Sequence, residues 1–281
     1  MAHRLQGGYR LNKKPVNECN DILISVITIV YNGDKYLEQT IQSVLNQTYN
    51  NVEYIIVDGG STDNTLEIIR KYDSRIAYWI SEPDKGISDA FNKGIALATG
   101  QLIGILNADD WYAPEAFTKI AAHYEPDSII HGNNQYWNQD GSKAHQAAPN
   151  LELLTSEMSL NHPTVFVSKS LYQKYKTFDL RYKLAMDYHL LLRLYVSGSK
   201  FIYVDSVITN MRLGGLSANI VGCYYEVYRA KNEVLGKKLS HKIYLYWTLL
   251  RYKISSNLSR TPLSFINSLY RNYISPIKKQ Y

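Results

Sequence analysis

The residues best suited to chemistry form an acidic turn, Asn107-Ala108-Asp109-Asp110, which directly follows an apolar run. Two adjacent carboxylates repel each other unless a cation lies near them. Hard divalent cations such as Mg²⁺ and Mn²⁺ take oxygen ligands and bridge phosphate groups. The turn is therefore a candidate metal and phosphate site. The alternative is a helix N-cap, because an Asp shortly before Ala113-Pro114-Glu115 also suits the start of a helix.

Two further polar segments carry residue types that contact nucleotides and anions. Asp58-Gly59-Gly60 follows a second apolar run, where the glycines let a ligand approach the backbone and Asp58 can accept hydrogen bonds from a base or a ribose. Asp84–Gly94 runs from a loop with a Lys and a Gly into a helix, whose N-terminus suits an anionic ligand. Each segment is also compatible with an ordinary capped turn.

Three residues further along the chain are candidates for handling the second substrate and the leaving group. Asp187 opens an apolar helix, which suits either an N-cap or a general base beside a cleft. His162 is a candidate for the acceptor side of the same cleft, with a structural role as the alternative. Arg212 precedes a glycine-rich segment, which predicts either a mobile lid that brings Arg212 to a diphosphate or an ordinary surface loop.

Alternating strands and helices are expected to position these groups. Short β-branched runs predict strands, and apolar residues at helical spacing predict the helices between them. The strands are Leu23–Val30, Val52–Val57, Ile76–Ile80 and Leu102–Leu106, and the main helices are Asp34–Gln47 and Ser88–Ala98. This alternation indicates an α/β fold with a mostly parallel sheet covered on both faces. Ligands bind beyond the carboxyl ends of such strands, so Tyr31-Asn32, the Asp58 turn and the acidic turn should converge.

The pattern is looser after Ile130. Helices are expected at Tyr188–Val196 and Asn219–Leu235, with short strands at Phe201–Val204 and Val207–Met211. A GxGxxG segment after the first strand and a GxxxxGK[ST] segment are both missing, which argues against a dinucleotide oxidoreductase and a P-loop NTPase.

Charge is distributed unevenly along the 281 residues. The net charge is +6, but residues 237–281 contain nine Lys or Arg and no Asp or Glu, so the rest carries 22 basic and 25 acidic residues, a net −3. This basic, aromatic tail favours an anionic membrane surface. Helices packed on the main domain, an oligomer contact and, as the weakest option, nucleic-acid binding are the alternatives. Nucleic acid is not an expected partner.

The expected compartment is the cytoplasm, with association at the inner face of the cell membrane. Two distant cysteines, Cys19 and Cys223, favour a reducing compartment. The N-terminus lacks the apolar core of a signal peptide, and none of the segments reaches the roughly 20 apolar residues of a spanning helix.

Together these segments resemble glycosyltransferase family 2, an inverting family with the GT-A fold. The ordered set covers Ile24 to about Ser217, and its matching stretches are Ser25–Asn32, Tyr54–Asp63, Asp84–Gly94, Asn107–Asp110 and Met186-Asp187. The resemblance implies a polar extension at 1–20, a catalytic domain at 21–218 and a helical tail at 219–281. Within the catalytic domain, the donor half is about 21–132 and the acceptor half about 133–218.

The resemblance also implies a role for each matching residue. Asp109 corresponds to the metal-binding member of the DxD motif, Asp110 is a second candidate ligand, and Asp187 corresponds to the catalytic base. The remaining residues are expected to bind the donor: Thr28, Tyr31, Asn32, Asp58, Asp84, Asn92, Asn107, Ala108 and Arg212. Asn107 departs from the family, because the first Asp of DxD usually stands there and Asn brings no charge to a metal.

The expected activity is an inverting, hexosyltransferase-type reaction that uses Mn²⁺ or Mg²⁺ as cofactor. The donor is a nucleotide sugar, with UDP favoured by family frequency, and the acceptor is a glycan or a lipid-linked sugar in the assembly of a surface polysaccharide or lipopolysaccharide. Two alternatives stay open. A nucleotidyltransferase would need a basic, Gly-rich loop where Tyr31–Tyr36 stands, and a catalytically silent sugar-nucleotide-binding module would not need Asp187.

Overall fold

The computed structural model describes residues 4–11, 21–213 and 219–258. Within these ranges the chain forms ten strands and eight α-helices. The strands are β1 (Leu5–Gly7), β2 (Ile24–Val30), β3 (Val52–Asp58), β4 (Tyr78–Ser81), β5 (Leu102–Asn107), β6 (Trp111–Tyr112), β7 (Ser128–Trp137), β8 (Lys143–Ala147), β9 (Phe166–Ser168) and β10 (Lys200–Arg212). The helices are α1 (Leu37–Leu45), α2 (Thr65–Lys71), α3 (Ile87–Leu97), α4 (Ala116–Ala122), α5 (Lys169–Tyr175), α6 (Met186–Val196), α7 (Ile220–Val234) and α8 (Leu239–Leu258).

One mixed sheet runs through the molecule in the order β1-β4-β3-β2-β5-β9-β7-β10-β6, with β8 paired to β7. The neighbours β4, β3, β2 and β5 are parallel, and so are β7 and β10. The three-residue strand β9 is antiparallel to both β5 and β7, so those two strands point in the same direction. The carboxyl ends of six strands therefore lie along one edge of the sheet.

Apolar residues cover both faces of the sheet because alternate side chains of each central strand point to opposite faces. On one face, Ile27 and Ile55 pack into a buried cluster that includes residues of α3, α5, α6 and α7. On the other face, Val26 and Ile56 pack with residues of α1, α2 and α4. The predicted α/β architecture, with helices on both faces of the sheet, is thus confirmed.

The sheet is tightly packed where β9 joins its two halves. A side chain at Gly104 in β5 would lie 2.4 Å from the Phe166 ring of β9, so this position requires a glycine. Gly104 and Phe166 are also register partners across the strands. The donor and acceptor halves expected from the sequence are therefore joined by a continuous hydrogen-bonded sheet.

Three parts of the fold differ from the predictions. The two strands expected between Phe201 and Met211 are one strand, β10, with register shifts between Val204 and Thr209. Part of the expected N-terminal extension belongs to the sheet, since β1 pairs with β4 at its edge. Antiparallel pairing also extends beyond what the sequence predicts, because short strands such as β9 carry too few residues to show an alternating pattern.

Candidate active site

The loop after β2 connects the strand ends of the donor half. Asn32 has a φ of 49°, a left-handed conformation that Asn adopts more readily than most residues. Its backbone N–H donates to the Ser61 hydroxyl at 2.8 Å, and its side-chain oxygen accepts from the Thr62 N–H at 2.9 Å. The preceding residue, Tyr31, is 65% exposed. The loop thus fixes its backbone against the turn after β3 and leaves the Tyr31 ring available to a ligand.

Asp58 and Thr28 lie in the interior behind this loop. Both are fully buried. The Asp58 carboxylate accepts hydrogen bonds from the Ser81 hydroxyl at 2.6 Å and from the backbone N–H and hydroxyl of Ser61. Thr28 accepts the Tyr54 hydroxyl at 3.0 Å. Neither side chain has exposed surface, and the nucleotide contacts expected of Thr28 and Asp58 stay predictions.

Asp84 lies next to Gly59, between the loop after β2 and the turn after β3. A side chain at Gly59 would lie 2.5 Å from an Asp84 carboxylate oxygen and 3.5 Å from the Tyr31 ring. The other Asp84 oxygen accepts the Gly86 N–H at 2.7 Å, which fixes the loop before α3. Tyr31, Gly59 and Asp84 thus form one surface, although they follow three different strands.

The acidic turn between β5 and β6 is held from α1 and from β10. The Thr40 hydroxyl of α1 lies 2.8 Å from the Ala108 carbonyl and 2.7 Å from the Asp110 carbonyl. The guanidinium of Arg212, the last residue of β10, donates to the Asp109 carbonyl. The Cβ of Ala108 lies 3.5 Å from a side chain built at Gly33 in the loop after β2. The turn therefore adjoins the Tyr31 loop.

Arg212 is enclosed between two aromatic rings. Its guanidinium carbon lies 4.1 Å from the centre of the Tyr36 ring and 4.5 Å from that of the Trp111 ring, and it also donates to the Gln39 side chain. Cation–π contacts of this length restrict the guanidinium to one position. The residues expected to form a lid after it, 214–218, lie outside the described residues. Arg212 thus positions the acidic turn.

The two carboxylates of the acidic turn differ in environment. Asp110 is 2% exposed, and burial followed by the charge of Asp109 raises its pKa well above the usual value, while a hydrogen bond from Asn107 at 3.3 Å opposes that rise. Asp109 is partly exposed. A hard divalent cation would relieve the repulsion between these oxygens, so the donor set fits such an ion, with Asp109 as the accessible ligand.

Helix α3 is hydrogen-bonded to the backbone of the segment before α6. The Asn92 side chain donates to the Phe178 carbonyl at 2.8 Å and accepts its N–H at 2.9 Å. The Ser88 hydroxyl donates to the Tyr182 carbonyl at 2.8 Å. Both amide atoms of Asn92 are thus engaged with the backbone of residue 178. The donor contact expected of Asn92 stays a prediction, and the structure shows Asn92 bound to the backbone of Phe178.

His162 and Asp187 lie close together on the acceptor side. His162 packs against the rings of Phe91 and Phe178, with centroid distances of 5.3 and 5.9 Å. Burial lowers the pKa of His162, and the negative charge of Asp187 acts in the opposite direction. The His162 Nε2 has no hydrogen-bond partner among the described residues. His162 is thus near enough to Asp187 to feel its charge, and the cleft that both are expected to line stays a prediction.

A carboxylate from α7 holds the start of α6, where Asp187 lies. Glu226 accepts the backbone N–H groups of three consecutive residues, Lys183, Leu184 and Ala185, at 2.8–3.0 Å. Backbone N–H groups at a helix N-terminus otherwise lack hydrogen-bond partners within the helix. Neither Glu226 nor Thr40 could be predicted from the sequence, since an isolated Glu or Thr in a helix matches no motif.

A second group of potential metal ligands occurs away from the acidic turn. Asp179, His189 and Glu233 bring ligand atoms within 4.8 Å of one another. Arg181 already bridges the two carboxylates, at 2.5 Å to Asp179 and 2.7 Å to Glu233. Because the guanidinium supplies the charge that these carboxylates need, we assign this group to an ion-pair network that joins α6 and α7.

Comparison with known proteins decides the family. The sequence profile described as "Glycosyl transferase family 2" matches residues 25–189, more than half of the chain. The chain belongs to this family. This family 2 glycosyltransferase is also similar to chondroitin synthase of Pasteurella multocida, at 30% identity over 208 residues, which is 70% of this chain and 21% of the relative. The chain therefore spans about a fifth of that relative's length.

Solved structures show the same fold. TarS of S. aureus in complex with UDP-GlcNAc superposes with a TM-score of 0.61 at 16% identity, covering 91% of this chain and 77% of TarS. A mannosyltransferase of Pyrobaculum calidifontis in complex with GDP-Man and Mn²⁺ gives 0.62 at 15% identity, covering 92% and 84%. The predicted GT-A fold is thus confirmed for the family 2 enzyme. Among its described helices, none combines the length and hydropathy needed to cross a membrane.

Proposed function

We propose that this family 2 glycosyltransferase moves a hexose from a UDP-sugar to an acceptor hydroxyl with inversion of the anomeric centre. One observation carries the proposal: exposed Tyr31, Asp84 and the acidic turn adjoin at the carboxyl ends of parallel strands. This edge is where ligands bind in open α/β sheets. The sugar nucleotides in the TarS and mannosyltransferase complexes support the donor class.

The donor nucleotide lies across the Tyr31 loop in this proposal. The exposed Tyr31 ring stacks on the base, since an aromatic face accepts any base without a defined hydrogen-bond pattern. Asn32 offers its backbone beside the ring, and Asp84 accepts from the ribose hydroxyls. Thr28 and Asp58 hold the two strand ends from within, and Asn92 holds α3 against the acceptor half.

The diphosphate lies at the acidic turn. Asp109 is the ligand for Mn²⁺ or Mg²⁺, Asp110 supports it from the interior, and Ala108 and Asn107 line the sugar and ribose side. A divalent cation bound there supplies positive charge to the leaving diphosphate. Arg212, held by Tyr36 and Trp111, keeps the Asp109 carbonyl in place and adds a fixed positive charge next to the turn.

Asp187 is the general base. Its carboxylate removes the proton of the acceptor hydroxyl as that oxygen attacks the anomeric carbon from the face opposite the diphosphate. The bond from the anomeric carbon to the diphosphate oxygen breaks, and a nucleoside diphosphate leaves. His162, which packs against Phe91 and Phe178, lines the acceptor cleft beside Asp187. Inversion follows from a single displacement at the anomeric carbon.

The acceptor is a glycan or a lipid-linked sugar in the assembly of a surface polysaccharide or lipopolysaccharide, at the cytoplasmic face of the membrane. The similarity to a chondroitin synthase supports a polysaccharide product. The catalytic unit is residues 21–218, with donor and acceptor halves that meet near residue 132. The loops and strands of residues 133–183 bind the acceptor and determine which acceptor is used.

A donor panel tests the proposal. The full chain is incubated with UDP-, GDP- and dTDP-sugars, with Mn²⁺, Mg²⁺ or EDTA, and released nucleotides are identified. We expect a nucleoside diphosphate, most rapidly from a UDP-sugar, with loss in EDTA and in Asp109→Asn. Asp127→Asn is the matched control, because Asp127 precedes β7 at the opposite edge of the sheet. Release of a sugar 1-phosphate, by cleavage at the α-phosphate, would indicate a nucleotidyltransferase, and donor binding without turnover would indicate a silent binding module.

A further inference from the structure

Helix α8 has an inner face that packs on the protein and an outer face that does not. Its 20 residues span about 30 Å. On the inner side, His241, Leu245 and Thr248 are buried. The Tyr244 hydroxyl donates to Glu157 at 3.0 Å, and the helix packs along α7. These contacts fix the orientation of α8 and hence the direction of its outer face.

The outer face is a continuous apolar stripe. Its members are large apolar or aromatic residues that are each 50–73% exposed: Leu239, Ile243, Tyr246, Trp247, Leu250 and Ile254. At 100° per residue these six positions fall within an arc of about 100°, so they lie side by side along four turns of the helix. We call this set the α8 stripe. An apolar surface of this length normally has a partner.

Cations flank the α8 stripe. Lys242 and Lys253 lie at one border of the arc and Arg251 lies at the other, by the same helical geometry. Lys242 extends over the Tyr246 ring, 5.9 Å from its centre. Residues 237–281 carry nine basic residues and no acidic one. The partner of this surface is therefore apolar in its interior and negatively charged around it.

We propose that the α8 stripe docks the enzyme on the surface of an anionic phospholipid bilayer, with the helix axis parallel to the membrane plane. Apolar side chains enter the boundary between headgroups and acyl chains, Trp and Tyr lie at the level of the headgroups, and the flanking lysines contact lipid phosphates. The orientation is interfacial, in agreement with the lack of a spanning helix among the described residues. This inference does not depend on the donor, the metal or the sugar transferred.

Charge favours a bilayer over a second copy of the chain. A two-fold dimer through α8 would place like surfaces against each other, because both sides of such an interface are the same patch. The cations of α8, Lys242, Arg251 and Lys253, would then lie opposite the same cations of the second copy. An anionic bilayer supplies the opposite charge along the whole helix, with each basic residue near the surface adding to the attraction.

Vesicle flotation with the full chain tests the inference. Vesicles of phosphatidylcholine alone are compared with vesicles that contain phosphatidylglycerol, at low and high salt. We expect binding to the anionic vesicles, weakened by salt, and a fall of about tenfold or more in Ile243→Glu/Leu250→Glu. Trp247→Phe keeps binding, and in the parent the Trp247 fluorescence shifts to the blue on anionic vesicles. Lys242→Glu/Lys253→Glu weakens binding in proportion to the anionic lipid.

The matched control places the same two charges elsewhere. Leu180→Glu/Val196→Glu changes two apolar residues that are 47% and 50% exposed but lie outside α8. Its binding should equal that of the parent, and both double variants should keep the parent's unfolding temperature. Equal flotation of the α8 variant and the parent would overturn the inference. Equal binding of the parent to neutral and anionic vesicles would also overturn it. The same holds if the parent does not float with vesicles and instead forms a dimer that Ile243→Glu/Leu250→Glu dissociates.

Discussion

Glu226 of α7 accepts the backbone N–H of Ala185 at 2.9 Å, two residues before Asp187. The same carboxylate binds the two preceding N–H groups. An acidic side chain near a helix N-terminus is stabilised by the helix dipole as well as by these bonds. The position of the proposed base therefore depends on a residue of another helix, 39 positions further along the chain.

Glu226→Gln tests this dependence. The glutamine side chain keeps the shape of Glu226 but has one oxygen, not two, that accepts hydrogen bonds. We therefore expect kcat to fall about tenfold while the dissociation constant of the donor changes little. Steady-state kinetics and calorimetry with UDP measure the two quantities. Glu233→Gln is the control, because Glu233 lies on the same helix and binds Arg181 and Tyr182 instead. Equal kcat values for the two variants would contradict the positioning role.

Asp187→Asn removes the proposed base without changing its size. We expect kcat to fall by about 10²-fold or more, the scale of general-base assistance, with donor affinity unchanged. Single-turnover transfer to an acceptor sugar is the measurement, and Asp127→Asn is the matched control. Near-normal transfer by Asp187→Asn would exclude it as the base.

Arg212→Lys keeps the charge but loses the planar group that lies between Tyr36 and Trp111. Because a lysine cannot stack and donate to the Asp109 carbonyl at the same time, we expect a rise of about tenfold in the Mn²⁺ concentration needed for half-maximal activity. Arg229→Lys is the control, since Arg229 lies on α7 and its guanidinium also lies over an aromatic ring, that of Tyr182. If Arg212→Lys needs the same Mn²⁺ concentration as the parent for half-maximal activity, metal binding at the turn does not depend on the Arg212 guanidinium.

Tyr31→Ala removes the exposed ring of the proposed base platform. Stacking contributes roughly 1–3 kcal/mol per base, so UDP binding should weaken by about 5- to 100-fold. The unfolding temperature should barely change, because the ring is 65% exposed. Calorimetric titration with UDP gives the affinity, and Tyr31→Phe should bind as the parent does. If Tyr31→Ala binds UDP with the parent's affinity, the nucleotide base does not stack on Tyr31.

His131 makes the free energy of unfolding depend on pH. It is 3% exposed in β7, and burial lowers its pKa to about 4. The unfolded chain then binds a proton below its usual pKa of 6.5 while the folded protein does not, so stability is lost as pH falls from about 7 to 4. The loss is up to roughly 3 kcal/mol.

His131→Phe should remove this part of the pH dependence. Asp110, whose pKa is raised, acts with the opposite sign, so the difference between variant and parent isolates His131. Denaturant unfolding at several pH values measures it, with exposed His123→Gln as the control. Identical slopes for His131→Phe and the parent would contradict the assignment.

The sequence predicted the donor half well because its signals are local. Buried parallel strands such as β2 and β3 are short β-branched runs, and polar residues at their ends stand next to them in the chain. The acidic turn and the Tyr31 loop were found for this reason. Their convergence follows from parallel pairing alone.

The remaining features arise from contacts between distant residues. Glu226 binds residues 41–43 positions away, and Arg212 reaches a turn 103 positions away, so neither leaves a periodic pattern. The burial of Asp58 was also missed, because an Asp at a strand end looks the same in sequence whether it faces a ligand or a neighbouring Ser. The α8 stripe required the structure, since α8 has apolar residues on both of its faces.

Strand β9 has a consequence for how enzymes of this shape change specificity. With only three residues, it joins β5 to β7, so the two halves share one continuous sheet. The proposed nucleotide edge and the acceptor half are therefore connected by backbone hydrogen bonds and not by a linker alone. Loops of the acceptor half can lengthen, shorten or be exchanged while α6, which packs on this sheet and carries the proposed base Asp187, keeps its position. New acceptors can then arise by loop replacement alone.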